Sequence, residues 1–463
     1  MPQDVLTETP PVLRRTLGPF DGAALVVANV IGVGIFTVPG VVAGMVAEPF
    51  AFFAVWIVGG VFALIGALAY AELAAMLPRA GGEYLYLREA FGPLAGFLTG
   101  WTSFVAGFSG AIAAAAIGFA AYLGRFFPVA LDADPFFSIP LGIARLSFSP
   151  QTLVALAVIF IISAIHIRGV NPGRRFQNGL AGACLLAVGF FVVMGFLAEG
   201  RAEQAPLPGP ADTGTGASAW LLALIPVMFT YSGWNAAVYV AEEVRDPTRN
   251  VFKALMLGTA AVIIAYLLLN GLYLHALPLA RLADVIEVGD AAAEVLFGSI
   301  GASLLSVVVL LALASNVSAM VMAGPRIYYA MARDGLFPGA MQRVYLRRQT
   351  PAVAIAAQAV WSAVLVLTGT FEDLLVYTGF AIVLFSAVAV SALYVLRRTH
   401  AADGMPLRGP GQRVLPLLFI AFSLVVVVNA LYGSPLPSAA GLLVISAGIP
   451  VYWWLRRRHG TRR

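Results

Sequence analysis

The chain has 463 residues, 60% of them hydrophobic and only 11% charged, with a mean hydropathy of +0.89. A soluble domain carries roughly 25% charged residues and could not bury this much apolar surface behind a wettable exterior, so the composition predicts an all-α integral membrane protein. The net charge of +5 comes from one lysine and 27 arginines scattered through short loops, which is no nucleic-acid patch, and the single cysteine, Cys184, leaves neither a disulfide framework nor a cysteine-based metal site.

The first residues, Met1 to Gly18, are polar and contain Pro10 and Pro11. They do not form a secretory signal, so residues 1–19 are expected to be a cytoplasmic segment, with the first helix directing insertion. A spanning helix needs about 20 mostly apolar residues. That criterion predicts 12 transmembrane helices, at 20–45, 50–77, 91–123, 150–167, 176–198, 217–241, 252–275, 292–323, 351–369, 373–396, 413–432 and 437–455. Assigning the connections alternately to two sides places 24 of the 28 basic residues on the side of the N-terminus. Positive charge marks the cytoplasmic face, so both termini are expected there, with 456–463 as a basic tail and the protein in the plasma or inner membrane.

Two of the spans carry a break near mid-membrane. In the first, Asn29-Val30-Ile31-Gly32-Val33-Gly34-Ile35-Phe36 is followed by Pro39-Gly40; in the sixth, Phe229-Thr230-Tyr231-Ser232-Gly233-Trp234-Asn235 sets small and polar residues at the same depth. Small residues alone also serve close helix packing. Here, however, span one starts on the cytoplasmic side and span six, five helices later, on the other. Matching breaks in two oppositely oriented five-helix units, 20–198 and 217–396, point to an inverted-repeat transporter. The exposed helix N-terminus can take a carboxylate and freed carbonyls an ammonium, which suits a zwitterionic amino acid. Acidic residues are nearly absent from the central portions of the spans, so no buried ionisable relay is expected. Glu72 lies toward the cytoplasmic end of span two and Glu242-Glu243 close span six, while His166 and His275 end spans four and seven and read as interfacial.

Four stretches resemble the amino acid–polyamine–organocation (APC) superfamily of permeases: Ile31 to Phe36; Leu77-Pro78-Arg79-Ala80-Gly81-Gly82-Glu83-Tyr84 with Phe91-Gly92; Tyr231 to Asn235 running on through Ala241 to Asn250; and Arg326 to Pro338. The resemblance covers essentially the whole chain. It implies a leucine-transporter-like 5+5 inverted repeat with helices 1 and 6 broken, plus two peripheral helices at 413–455. It also implies that a substrate carboxylate binds the amides of Val33, Gly34 and Ile35, beside Gly32, and that the α-amino group binds carbonyls of Val30 or Ile31, Phe229, Thr230 and Ser232, beside Gly233. Phe229 matches an aromatic that closes over bound substrate. The chain departs from the family at Val33, where many relatives carry serine, and at Cys184, where some carry a lysine that stands in for sodium. Ser315 and Ser318 are the candidate oxygens for a sodium ion, although such serines more often bond their own helix.

The implied function is secondary amino-acid transport by alternating access, with no cofactor and no enzymatic activity. Its partners would be the amino acid, the lipid bilayer, and a coupling proton, sodium ion or counter-substrate. No nucleotide-binding Gly-x-x-x-x-Gly-Lys loop is present. Neutral substrates are favoured over cationic amino acids or polyamines, since no buried acid is evident. A membrane enzyme would need a catalytic cluster near one face, and a channel a repeated filter or charged ring; neither is apparent. At Glu242 and Glu243 two readings stand, surface charge near Arg245 and Arg249 or ion pairs of an inward gate.

Overall fold

Proline marks where many of the helices begin. Pro19, Pro49, Pro93, Pro150 and Pro247 open α1 (Pro19–Val30), α3 (Pro49–Met76), α5 (Pro93–Thr102), α7 (Pro150–Ile167) and α11 (Pro247–Ala276). The first turn needs no N–H there, and the fixed φ of proline is already helical. A computed structural model describes residues 13–46, 48–142, 144–198, 217–283, 285, 287–345, 347–369, 371–399, 411–433 and 435–460. Residues 1–12, the connection with Glu199, Arg201 and Glu203, Asp284, Arg408, and the terminal Arg462 and Arg463 fall outside the described residues, so the charge partition predicted for them has no structural counterpart here.

Among the described residues, nine helices are long and apolar enough to cross a bilayer, and a tenth crossing comes from α1 with α2 (Gly34–Ala43), bent by 51° at their junction. Two further apolar helices, α9 (Ala217–Thr230) and α15 (Ala352–Thr368), are shorter, at 14 and 17 residues. The remaining long helices are α8 (Val170–Leu197), α14 (Ser299–Arg333), α16 (Phe371–Thr399), α17 (Gly411–Gly433), α18 (Pro435–Gly460) and the continuous run formed by α5, a π-helical turn at Ser103–Gly107 and α6 (Phe108–Leu123).

Several predicted boundaries shift: α8 opens at Val170 rather than 176 and α11 at Pro247 rather than 252, and three spans meet internal punctuation. Span six is split where its break is expected: α9 stops at Thr230, and a one-turn α10 (Ala236–Tyr239) follows. Span eight does not start at 292. Gly298, at φ +68°, separates a short α13 (Val288–Phe297) from α14, which then continues to Arg333, past the predicted end at 323. Span three starts at Pro93, because Gly92, at φ +95°, ends a separate α4 (Glu83–Phe91). In all three places polar or glycine punctuation inside an apolar run redirects the chain without changing its hydropathy. A two-stranded antiparallel hairpin, β1 (Phe137–Leu141) and β2 (Ala144–Phe148), pairs Phe137 with Phe148 and was not anticipated.

The core centres on α14, which packs against α1, α6, α7, α8, α13 and α15. From Val317 to Ala332 it is buried without interruption, as expected for a helix surrounded by protein rather than lipid. α1 leans on it and on α11, while α2 packs mainly on α9 and α13, and this holds the α1–α2 break deep in the molecule.

Candidate substrate cavity

At the first break the chain leaves the helix for only three residues, Ile31, Gly32 and Val33. Ile31 still donates to Val27 O at 2.9 Å, and Phe36 N reaches back to Val33 O at 2.9 Å. Gly32 and Val33 N–H have no backbone acceptor among the described residues. Gly34 and Ile35 open α2, which has no side-chain cap, so their amides are orphaned by helix geometry. Four successive amides with the partial positive charge of a helix N-terminus have the chemistry to take an anion.

The second break, Tyr231 to Asn235, is tighter. Gly233 takes φ +102°, and its carbonyl accepts from Ala236 N at 3.1 Å and from Asn29 Nδ2 at 3.2 Å. Asn29 thus ties break two to the last turn of α1. Asn316 of α14 donates to Ala28 O at 3.1 Å and Asn29 O at 2.9 Å. The Tyr266 hydroxyl lies 2.9 Å from Val30 O and 3.2 Å from Thr230 O. These bonds satisfy backbone groups that would each cost several kcal/mol if bare in hydrocarbon.

Both breaks open onto one cavity of about 320 Å³. Of the predicted site residues, Val30, Gly32, Val33, Gly34, Phe229, Thr230, Ser232 and Gly233 line it, and Ile31 and Ile35 do not. The side chains of those two are buried at 1% and 0% exposure, so only their backbone can serve the site. Phe229, 49% exposed, stands at the cavity wall. Thr99 and Thr102 of α5 and Ser103 of the π turn also line the cavity; at that turn Tyr328 Oη and Trp361 Nε1 donate to the freed carbonyls of Ser103 and Val105.

The expectation that no acid is buried here fails. Glu83 lines the cavity and is 9% exposed. Its Oε1 accepts from Tyr70 Oη at 2.5 Å, Asn235 Nδ2 at 2.9 Å and Ser386 Oγ at 3.3 Å. Burial raises its carboxyl above the ordinary carboxylate range, against the smaller opposing pull of the bonds from Tyr70, Ser386 and Asn235. In the sequence Glu83 is only one residue of the Leu77 to Tyr84 stretch; its polar partners at 70 and 235 are visible there, but nothing in their spacing brings them together. Burial also overturns the interfacial reading of His166, which is 3% exposed with Nε2 2.9 Å from Ser318 Oγ. That serine, a candidate sodium ligand, is therefore engaged, whereas Ser315 Oγ is buried without a partner among the described residues. Cys184 is buried in α8.

At the end of the bundle that carries the arginines, the second, third and fourth stretches meet. Glu243 forms a buried pair with Arg326, Nε to Oε1 at 2.8 Å. Glu242 accepts from Arg333 at 3.1 Å and from Ala80 N at 3.0 Å. Arg88 and the Tyr84 hydroxyl both reach Asp334 Oδ2, at 2.6 and 2.7 Å. Arg397 forks onto Glu72 at 2.6 and 2.7 Å. The glutamates are thus ion-paired and buried, not surface charge near Arg245 and Arg249. The segment before α1 docks on the same cluster, with Thr16 and Leu17 N–H on Glu243 O and Arg245 N–H on Leu17 O.

A bundle of apolar helices with a buried cavity between two helix breaks defines a membrane permease. The family model described as amino acid permease matches residues 17–455, and the chain belongs to this family of the APC superfamily, whose members serve amino acid transport. It is 28% identical over 450 residues to the human large neutral amino acids transporter small subunit 2, covering 95% of this chain and 80% of that protein. Identity to the serine/threonine exchanger SteT of Bacillus subtilis is 25%, over 97% of this chain and 98% of the relative. The human cystine/glutamate transporter is 27% identical, over 95% and 85%.

Proposed function

We propose that this protein is a secondary amino acid transporter working by alternating access around the cavity between its two breaks. The observation that carries the reading is the run of uncapped amides from Gly32 to Ile35, of which Gly32, Val33 and Gly34 line that cavity. They would hold the substrate carboxylate, and the α-amino group would lie against carbonyls of Ile31, Phe229 and Ser232. The carbonyls of Val30 and Thr230 already accept from Tyr266 and have one lone pair each to offer. The rest of the architecture follows the same reading. Twelve spans would be reached by counting the broken α1–α2 pair as one and α9 with α10 as another, in a 5+5 inverted repeat over 20–198 and 217–396. Both termini and the arginine-rich end would be cytoplasmic, and the buried pairs Arg326–Glu243 and Arg333–Glu242 would have to part when the cavity opens to that side.

The relatives' names favour neutral amino acids and exchange. Reconstitution in liposomes with labelled amino acids, with and without pH and sodium gradients, tests the reading. Saturable uptake competed by unlabelled substrate is expected. An ion conductance with no competition, or product formation, contradicts it.

A further inference from the structure

Glu83 is the feature of the cavity that backbone recognition of a zwitterion leaves unused. All three of its hydrogen bonds fall on Oε1. Oε2 has no partner among the described residues, and the side chain lines the cavity. The groups facing it are Tyr70 from α3, Tyr86 from α4, Asn235 and Tyr239 after break two, and Ser386 from α16. None is a cation. The arginines of the neighbouring segments are committed elsewhere, Arg79 to Glu89, Arg88 to Asp334 and Arg333 to Glu242. Asn235 sits two residues beyond Gly233 and donates both to Glu83 and, at 3.1 Å, to the Tyr239 hydroxyl. Charge at Glu83 is thereby wired to the segment that bends at break two.

We propose that Glu83 is the proton site of the carrier. A proton taken from water forms an O–H bond at Oε2, travels with the cavity as its opening changes sides, and returns to water on the other side. The inference rests on the transport reading above and names its coupling ion. When the cavity is open, water fills the acceptor positions of Oε2. When it closes, an ionised carboxylate would be left with one oxygen bare and no counter-charge, a costly state for a buried charge; protonation removes the charge. The donors on Oε1 favour the ionised form and oppose the burial, so the group can both take up and lose its proton. Only an O–H bond forms and breaks, and nothing is oxidised or reduced.

The sign follows. The protonated form is the one that closes, so transport falls as pH rises through the midpoint of Glu83. In proteoliposomes at symmetric pH, exchange of a labelled neutral amino acid reports the transport reading alone; if no amino acid exchanges, that reading fails and the inference falls with it. With exchange established, an inside-alkaline gradient of about one pH unit should drive accumulation up to about tenfold for one proton per substrate, with matching acidification of a lumenal dye. Glu83→Gln, scored on the shape of its own pH profile, should lose both the gradient response and the fall at high pH. Tyr70→Phe removes a donor to the carboxylate and should move the midpoint upward by about one pH unit; this variant decides the question if Glu83→Gln does not fold. Asp290, raised to about 6 chiefly by burial and then by Glu287, is the rival titrating group. Exchange without proton flux, an unchanged profile in Glu83→Gln or Tyr70→Phe, a profile flattened only by Asp290→Asn, or a switch between neutral and cationic substrates at constant pH dependence would each overturn the proposal.

Discussion

The two breaks look alike in sequence, each a pair of small residues beside β-branched or aromatic neighbours, yet they are built differently. Break one is open. A Cβ on Gly32 would meet nothing nearer than Asn316 Nδ2 at 3.9 Å, and the amides of Gly32 and Val33 have no backbone acceptor among the described residues. Break two is closed on itself. A Cβ on Gly233 would lie 2.6 Å from Asn29 Nδ2 and 2.8 Å from Asn29 O, at a φ that disfavours any side chain. On the proposed reading, one break would supply the binding groups and the other would hold the geometry that presents them. Glycine pairs at two helix breaks therefore need not share a role.

Substitutions can separate the two roles. Gly233→Ala should have the largest effect on stability, about 2–4 kcal/mol from left-handed strain and the clash with Asn29, read as a lowered Tm with transport lost alongside. Gly34→Leu is next: the Cβ site is already 3.1 Å from Thr230 Cγ2, and the larger side chain should abolish uptake while the protein remains monodisperse. Normal uptake by this variant would remove the backbone site. Tyr266→Phe deletes the hydroxyl shared by Val30 O and Thr230 O and should cost about 1–2 kcal/mol, visible as a shift in thermal melting. Gly32→Ala should be smallest for stability, within about 1 kcal/mol, but should raise KM because its methyl enters the cavity. Equal losses of stability at Gly32 and Gly233 would erase the distinction between the breaks.

Much of this was legible in the sequence. The Gly32-x-Gly34 and Ser232-Gly233 breaks and the long apolar runs follow from hydropathy and glycine placement. What escaped was long-range. Glu83 is reached by Tyr70, Asn235 and Ser386 from three other elements, and no local pattern announces such a convergence. His166 looked interfacial because it ends an apolar run, but α14 passes over it and supplies Ser318. Asn29 and Asn316, which hold the breaks in place, bond backbone groups of other segments that their own surroundings in the sequence do not announce. The lost boundaries at Gly92 and Gly298 reflect positive-φ glycines inside stretches whose hydropathy does not change.

The central claim is that the amides of Gly32 to Ile35 recognise the substrate carboxylate. Competition against labelled substrate uptake tests it most directly, using the same amino acid as the free acid and as its methyl ester, which keeps the ammonium and side chain but removes the negative charge. Loss of charge-assisted bonds of about 1.5–3 kcal/mol predicts that the ester competes about 10- to 100-fold more weakly. An ester that competes as well as the free acid would contradict a carboxylate site at the first break.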